Sequence, residues 1–180
     1  GQVAQLQDSE LCRIIGETNT ASTSHASLYD AIIEDYLQSI FAFDVQNAES
    51  ILTRTAAIIP PMRLTLEVIV PLMRRVGAAW HHGELKISHE HIISGQLRSV
   101  LGTLLRHVEP MAGAPRIIVT TPPGHLHEFG AMIGAFIAAS REIEPVYLGA
   151  NTPFSESEDA ATQRGSKLIL PSIARDCVLR

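Results

Sequence analysis

The amino-acid sequence predicts an α + α/β chain, in which a four-helix bundle is followed by a smaller parallel α/β half. Two observations predict this class. Between residues 28 and 108, apolar side chains recur every three or four positions, which is the period of an amphipathic helix. From residue 116 onward, short β-branched runs alternate with helical stretches, as in the βαβ units of a parallel sheet.

Composition restricts the class of function. The chain has 180 residues, 46% of them hydrophobic, and a net charge of -5 without a Lys/Arg cluster, which argues against direct nucleic-acid binding. Cys12 and Cys177 are far apart and match no disulfide or metal spacing, which favours a reducing compartment. No apolar run has the length of a membrane span. We therefore expect a cytoplasmic protein with no membrane contact.

Residues 1–27 are mostly polar and are predicted to form a tail or linker, and residues 28–109 the bundle. The first helix begins at Leu28, and Asp44 is a plausible cap for the second. Pro60 ends the second helix, and Pro61 can occupy the first turn of the third. Pro71 lies within the third helix and should bend it. The predicted apolar stripe of this helix consists of Leu66, Ile69, Met73, Val76 and Trp80.

The fourth helix has two different faces, and Ser88 is its predicted cap. One face is apolar, whereas His91, Gly95, Arg98 and Gly102 share the opposite face. Two glycines inside a helix each cost roughly 1 kcal/mol relative to alanine, so they call for an explanation. Close packing against another helix is the simpler explanation. The alternative is that a flat, bulky group lies against this face under His91.

Residues 109–115 form a linker, and residues 116–180 form the predicted α/β half. Strands are expected at 116–121, 144–149 and 167–170, with helices at 131–140 and 155–164, the latter with Ser155 as its possible cap. Three strands make a thin sheet with an exposed edge. We therefore expect that this half is incomplete at its C-terminus and that the natural domain continues past residue 180.

A Pro/Gly-rich turn with two histidines, residues 122–130, joins the first strand to the next helix. Ligands of open α/β sheets bind beside the carboxyl ends of the strands. The spacing His127-x-x-Gly130 resembles the motif of the cobalamin-binding Rossmann-like (flavodoxin-like) domain. The resemblance implies that His127 ligates cobalt from the lower face and that Gly130 permits close approach of the corrin. His125 replaces the carboxylate of that motif, and Ser172 matches a serine that faces the nucleotide tail.

A second motif lies in the bundle. Trp80, nine further residues, then Glu90-His91 resembles the spacing in light-sensing adenosylcobalamin regulators related to CarH. In that family, a helical bundle covers the upper face of the cobalamin. The resemblance implies that Trp80, Glu90 and His91 surround the adenosyl group. It further implies that His81 reaches cobalt after light breaks the cobalt–carbon bond.

The two resemblances together predict a non-catalytic photoreceptor module. They imply adenosylcobalamin as the cofactor, a homo-oligomer with light-dependent assembly, and regulation of a protein partner or of a fused output domain. Stand-alone relatives include photocobilins, which hold a bilin such as biliverdin beside the cobalamin, and antirepressors of photosynthesis genes. A surplus of histidines makes a second tetrapyrrole worth considering, and haem in place of cobalamin is a further variant. Taken singly, these histidines are interpreted as solvated: His82, His89, His107 and His125. The alternatives are a corrinoid carrier of a methyltransferase system and a helical interaction module without a cofactor.

Overall fold

The structure, a computed structural model, describes residues 28–172. Predictions for the tail at 1–27 and for residues 173–180 lie outside this range. The bundle helices are α1 (residues 28–41), α2 (Val45–Ile58), α3 (residues 61–81) and α4 (Ile87–His107). The α/β half consists of β1 (Arg116–Thr120), α5 (Phe129–Ala139), β2 (Glu144–Gly149), α6 (Phe154–Arg164) and β3 (Leu168–Pro171).

Helix boundaries follow from local chemistry in α1 and α2. The carboxylate of Asp44 accepts a hydrogen bond from the backbone N–H of Asn47, so the predicted cap of α2 is confirmed. The buried face of α1 is formed by Tyr29, Ile33, Tyr36, Leu37 and Ile40. Leu28 is helical, as predicted, and this residue is 54% exposed.

Helix α3 contains an irregular segment that the sequence did not predict. Pro61 occupies its first position, as expected, but Leu64–Ile69 is a π-helix between the α-helical segments Pro61–Arg63 and Val70–His81. Pro71 lacks an N–H for the carbonyl four residues earlier and would clash with it, and we attribute the wider turn to this conflict. The extra residue in the turn shifts the apolar face. Leu66 is therefore 47% exposed, and the prediction that it belongs to the buried stripe is wrong.

Helix α4 begins two residues earlier than the predicted cap allows. Its N-cap is Lys86, whose backbone N–H donates to Nδ1 of His89, and Ser88 lies exposed within the first turn. Ser155 is likewise inside the first turn of α6, which Pro153 precedes. Both predicted serine caps are wrong. The apolar face of α4 was predicted correctly, since Ile93, Leu97 and Leu101 are buried in the bundle core.

The sheet is parallel with strand order β2-β1-β3, so β1 is central and pairs with both neighbours. A register shift between Val119 and Thr120 pairs Thr120 with Gly149 and skips Leu148. This bulge lies at the carboxyl end of β1, where the predicted binding turn begins. The order β2-β1-β3 makes that end the point at which the chain switches from one side of β1 to the other.

Helix α5 joins the two halves because it is apolar on both sides. Phe129 and Met132 are part of the bundle core, whereas Ala131 and Ala135 pack with Val119 of the sheet. A helix that is apolar all round is normally buried, and here the bundle covers one side and the sheet the other. The bundle thus rests on α5, the helix that begins just after the histidine-containing turn. No helix within residues 28–172 is long and apolar enough to cross a membrane.

Candidate functional site

The turn after β1, residues 121–128, is held in one conformation by hydrogen bonds to the end of β2. The carbonyl of Pro122 accepts from the N–H of His125 at 3.0 Å, and Gly124 has φ +84°. A glycine with positive φ at the third position is the requirement of a type II turn. Asn151 reaches across from the loop after β2, because its side-chain oxygen accepts from the Gly124 N–H at 2.8 Å. The hydroxyl of Thr121 donates to the His125 carbonyl and accepts from the Asn151 N–H.

The two histidines of this turn are half-buried. His125 has its backbone anchored as described, and His127 lies two residues before the start of α5. Helix α5 begins immediately after Glu128, so a shift of its first turn would carry His127 with it. The sequence resemblance gives His127 the role of a cobalt ligand, and that role remains a prediction.

Gly130 and Ser172 are brought together by the fold. The backbone N–H of Ser172 donates to the carbonyl of Thr120 at 2.8 Å, which places the residue after β3 beside the end of β1. A Cβ built on Gly130 would lie 2.8 Å from the hydroxyl oxygen of Ser172. A side chain at position 130 would therefore displace Ser172. In this structure, contact with a protein residue explains the glycine, whereas the sequence analysis attributed it to close approach of a corrin.

Glu128 connects the turn to both halves of the protein, and the sequence analysis did not identify it. One carboxylate oxygen accepts from Nε of Arg98 on α4 at 2.5 Å, and the other accepts from the Tyr147 hydroxyl on β2 at 2.6 Å. The Glu128 side chain is only 17% exposed. Burial, followed by the hydrogen bond to Glu128, raises the pKa of Tyr147 well above its usual value. The Arg98 guanidinium also lies 5.7 Å from the centre of the Phe129 ring.

The first turn of α4 holds a buried carboxylate beside an exposed imidazole. Glu90 is 4% exposed and accepts a hydrogen bond from the Ser94 hydroxyl at 2.7 Å. Its other oxygen lies 2.8 Å from Nδ1 of His91, whose side chain is 73% exposed. An ionised carboxylate only accepts hydrogen bonds, so Nδ1 carries the proton and Nε2 of neutral His91 presents a lone pair. Glu90 therefore fixes the orientation of an outward-facing imidazole.

The glycines of α4 are not explained by helix packing. A Cβ built on Gly95 would have no atom within 4 Å, and one built on Gly102 would meet only the Arg106 side chain, at 3.4 Å. The simpler prediction, close contact with another helix, is wrong for the described residues. His91 and Arg98 are seven residues apart, so they lie on nearly the same side of α4, about 10 Å apart along its axis. This open surface, the α4 face, consists of His91, Gly95, Arg98 and Gly102.

The α4 face and the histidine turn border each other. Arg98 belongs to the face and binds Glu128, the residue after His127. The contact joins the helix face that also carries His91 and Gly95 to the residue that follows His127. Both groups approach one boundary between the two halves.

Trp80 and His81 end helix α3. The Trp80 ring is partly buried and packs against the bundle core, as expected for an apolar residue of this helix. Its indole N–H makes no hydrogen bond within residues 28–172. His81 is exposed, and His82 is the exposed C-cap of the helix. Hydrogen bonding does not connect Trp80 or His81 to the other predicted site residues in this part of the chain.

The remaining histidines differ from one another. His89 was interpreted as solvated, and this is wrong: it is 3% exposed and packs against the rings of Phe41 and Phe43. Its Nε2 is buried and has no hydrogen-bond partner among the described residues. Burial, together with the nearby charge of Lys86, lowers the pKa of His89. His107 is exposed at the end of α4, where Nδ1 donates to the Thr103 carbonyl.

Comparisons with known proteins identify the type of domain. Residues 32–105 match the B12 binding domain family. The HTH-type transcriptional repressor CarH of Myxococcus xanthus is 28% identical over 120 residues, which is 67% of this chain and 40% of that protein. The HTH-type transcriptional repressor CarA of the same organism is 25% identical over 107 residues, or 59% of this chain and 35% of that protein. The chain thus spans two fifths or less of the curated relatives that it matches.

A solved structure shares the fold. The Methanosarcina barkeri monomethylamine corrinoid protein superposes with a TM-score of 0.60 at 18% identity, over 78% of this chain and 68% of that chain. Likeness at this level of identity concerns the fold alone, and it supports the predicted order of a helical bundle followed by a Rossmann-like parallel sheet. The family match and the two relatives confirm the predicted cobalamin-binding family. Residues 32–105 of this chain are therefore similar to a B12 binding domain.

Proposed function

We propose that this chain is a non-catalytic, cobalamin-dependent photoreceptor module that holds adenosylcobalamin between the α4 face and the turn after β1. Photolysis of the cobalt–carbon bond would change conformation or assembly and so regulate a partner protein or a fused output domain. The observation that carries the proposal is the Arg98–Glu128 contact, since it places the turn that contains His127 at the border of the α4 face. The Trp80-to-His91 spacing, shared with light-sensing regulators, supports adenosylcobalamin as the form bound.

The residues present fit a corrin. The surface at Gly95 is open, because a Cβ there would meet nothing within 4 Å. Polar side chains border this surface: that of His91 is 73% exposed, and that of Arg98 is 47% exposed. A corrin is a large, flat, amphipathic ring with amide groups at its edge. It would need an open surface to lie on and polar side chains around that surface. The neutral imidazole of His127 is a suitable cobalt ligand from the opposite side.

Each candidate residue has a defined task in this proposal. His127 would provide the lower axial imidazole, with His125 beside it in the same anchored turn. Glu90 would hold His91 so that Nε2 points toward the upper ligand. The indole N–H of Trp80 makes no hydrogen bond to residues 28–172, so it would be available to the same ligand. His81, exposed next to Trp80 in the chain, is the candidate for a second imidazole donor.

Ser172 and Gly130 would line the lower edge of the site. The two residues lie close together at the end of β3, and the Ser172 hydroxyl would be available to hydrogen-bond a nucleotide tail. When bound, adenosylcobalamin would supply a bond that absorbs visible light and cleaves. Loss of the upper group would remove a packing partner of the α4 face, which allows the bundle to shift relative to the sheet half.

A corrinoid carrier of a methyltransferase system is the alternative. A carrier has to expose the upper face of its corrin to a partner enzyme, and the 73% exposure of His91 is compatible with such access. The buried Glu90, held by Ser94 and aimed at His91, favours the sensor. A methyl group has no polar atom to use an oriented imidazole, whereas an adenosyl group has several hydrogen-bonding positions.

A bilin such as biliverdin is the proposed second cofactor, and a groove between α4 and the sheet half is its candidate location. The groove has a volume of about 390 Å³ and is lined by Leu105, Met132 and Tyr147 together with Arg98 and Gly102 of the α4 face, so a bilin here would border the corrin. Arg106 at its edge could pair with a propionate carboxylate. Addition of biliverdin to the purified protein should give a red-shifted absorption band if this proposal holds. A spectrum equal to that of free biliverdin would exclude it.

The main experiment is an absorption spectrum of the protein mixed with adenosylcobalamin, before and after green light. Wild type is compared with His127→Ala, and His107→Ala is the matched control because His107 is exposed at the far end of α4. Size-exclusion chromatography in darkness and after light tests the proposed change in assembly. We expect light to convert the bound spectrum in wild type and in the control, and the His127 variant to give a different spectrum.

The outcomes separate the functions. Bound cobalamin with no light-dependent change in conformation, assembly or partner binding would favour the carrier. Absence of bound cobalamin after desalting would contradict both functions and leave the helical interaction module.

A further inference from the structure

Glu128 lies at the border between the two halves and forms hydrogen bonds to both of them. The proposed function above uses its contact with Arg98 but assigns no role to Glu128 itself. It follows His127 directly and precedes the first residue of α5. Its two carboxylate oxygens bind different elements: Arg98 on α4 at 2.5 Å and Tyr147 on β2 at 2.6 Å. The Glu128 side chain is only 17% exposed, so water competes little for these two hydrogen bonds.

The two partners hold Glu128 from opposite sides. Arg98 lies on the α4 face, about two helical turns from His91. Its position therefore follows that of α4, the helix that carries the residues proposed to contact the upper ligand. Tyr147 lies on β2, in the strand whose end also anchors the turn through Gly149 and Asn151. A charge-assisted hydrogen bond from arginine and a short phenol–carboxylate bond are among the stronger polar contacts in proteins. Together they fix one backbone position adjacent to His127.

We infer that Glu128 is a positioning residue, which sets the location of the His127 imidazole relative to the α4 face through its bonds to Arg98 and Tyr147. The inference rests on the proposed cobalamin site. If α4 moves away from the sheet half, the Arg98 bond breaks first, because its guanidinium is half-exposed and belongs to the moving element. The Tyr147 bond belongs to the sheet half and persists. A movement of α4 would in this way release the turn that contains His127, while the sheet stays unchanged.

The test compares Glu128→Ala, Arg98→Gln and Tyr147→Phe, with Arg116→Gln as the matched control. Arg116 forms an ion pair of similar geometry with Glu144, at 2.8 Å, but at the opposite end of β1. The first readout is amide hydrogen exchange of residues 122–130 in the cobalamin-free protein. The second is the fraction of bound cobalamin with an imidazole-coordinated spectrum at pH 7. Arg98→Gln combined with Glu128→Ala tests whether the two residues act as one unit.

For Glu128→Ala we expect about tenfold faster exchange in the turn and at least a threefold lower ratio of imidazole-coordinated to uncoordinated cobalamin. Arg98→Gln and Tyr147→Phe should shift both readouts in the same direction by less, the double variant should equal Glu128→Ala, and the control should match wild type. A wild-type coordination ratio in Glu128→Ala would overturn the inference, even if hydrogen exchange in the turn becomes faster.

The design separates this inference from the proposed function. If wild type binds no cobalamin, the proposed function fails, while hydrogen exchange still reports whether Glu128 orders the turn. If wild type binds cobalamin and all variants coordinate it equally, only the positioning role fails. Tyr147→Phe removes one hydroxyl and keeps the ring, so it gives a result even if Glu128→Ala does not fold.

Discussion

Gly95→Ala should change two properties of the protein in opposite directions. Residue 95 lies inside α4, and a Cβ there would meet no atom within 4 Å. Alanine is favoured over glycine in a helix interior by about 1 kcal/mol, and nothing in this structure opposes the added methyl group. For a chain of this length, that gain raises the melting temperature of the cobalamin-free protein by about 2–4 °C.

The same methyl group should weaken cobalamin binding. If a corrin lies flat on the α4 face, the methyl group occupies contact space, and overpacking of that kind costs about 1–3 kcal/mol. The dissociation constant should therefore rise by about 5- to 150-fold. Thermal unfolding of the cobalamin-free protein and equilibrium dialysis with cobalamin measure the two effects separately.

Gly77→Ala is the matched control, since Gly77 also lies inside a helix, its Cβ would meet no atom within 4 Å, and it is not part of the α4 face. We expect the same stabilisation and a cobalamin affinity within about twofold of wild type. Unchanged affinity in Gly95→Ala would refute the reasoning that a corrin covers this face. A lower melting temperature of the cobalamin-free variant would refute the reasoning that the face is open.

Three further predictions concern α4 and its surroundings. His89 is buried and its pKa is lowered, so below about pH 6.5 the unfolded chain binds more protons than the folded protein does. The free energy of unfolding should therefore fall as the pH drops through that value. Urea unfolding of His89→Phe should lack this pH dependence. Leu97→Ala removes a side chain that is 0% exposed and should destabilise the protein by about 2–5 kcal/mol in the same assay, whereas an unfolding free energy within 1 kcal/mol of wild type would contradict the assigned core. Asp44→Ala should cost about 1 kcal/mol through loss of the α2 cap, with Asp44→Asn as the control that retains it.

Most features of the fold that were predicted correctly depend on short stretches of sequence. The cap at Asp44, the helix start at Pro61 and the strand that ends at Thr120 each depend on a few neighbouring residues. From Pro71 the sequence predicted a bend in α3 but not the π-helical segment. How a helix adapts to a proline depends on the surrounding packing, which the local sequence does not contain. For the same reason, the burial of His89 could not be inferred from its polar neighbours, since Phe41 and Phe43 approach it from another helix end.

The candidate site was predicted unevenly. Spacing within one helix predicted the exposed face with His91, Gly95 and Arg98, and the structure gives that face its open surface. The bonds of Glu128 join residues 30 and 19 positions away, on different elements, and no local pattern indicates such partners. A signal was nevertheless present: a carboxylate next to His127 and an arginine on the α4 face have complementary charge. The contact of Gly130 with Ser172 likewise required the sheet order.

The central claim is that cobalamin is held between the α4 face and the turn that contains His127. The most direct measurement is the cobalt-to-protein ratio after gel filtration of a cobalamin-saturated sample, with the absorption spectrum of the protein peak. The account predicts a ratio near one in wild type and a spectrum with an axial imidazole that is absent in His127→Ala. A wild-type protein peak without cobalamin, or a His127→Ala spectrum equal to that of wild type, would contradict it.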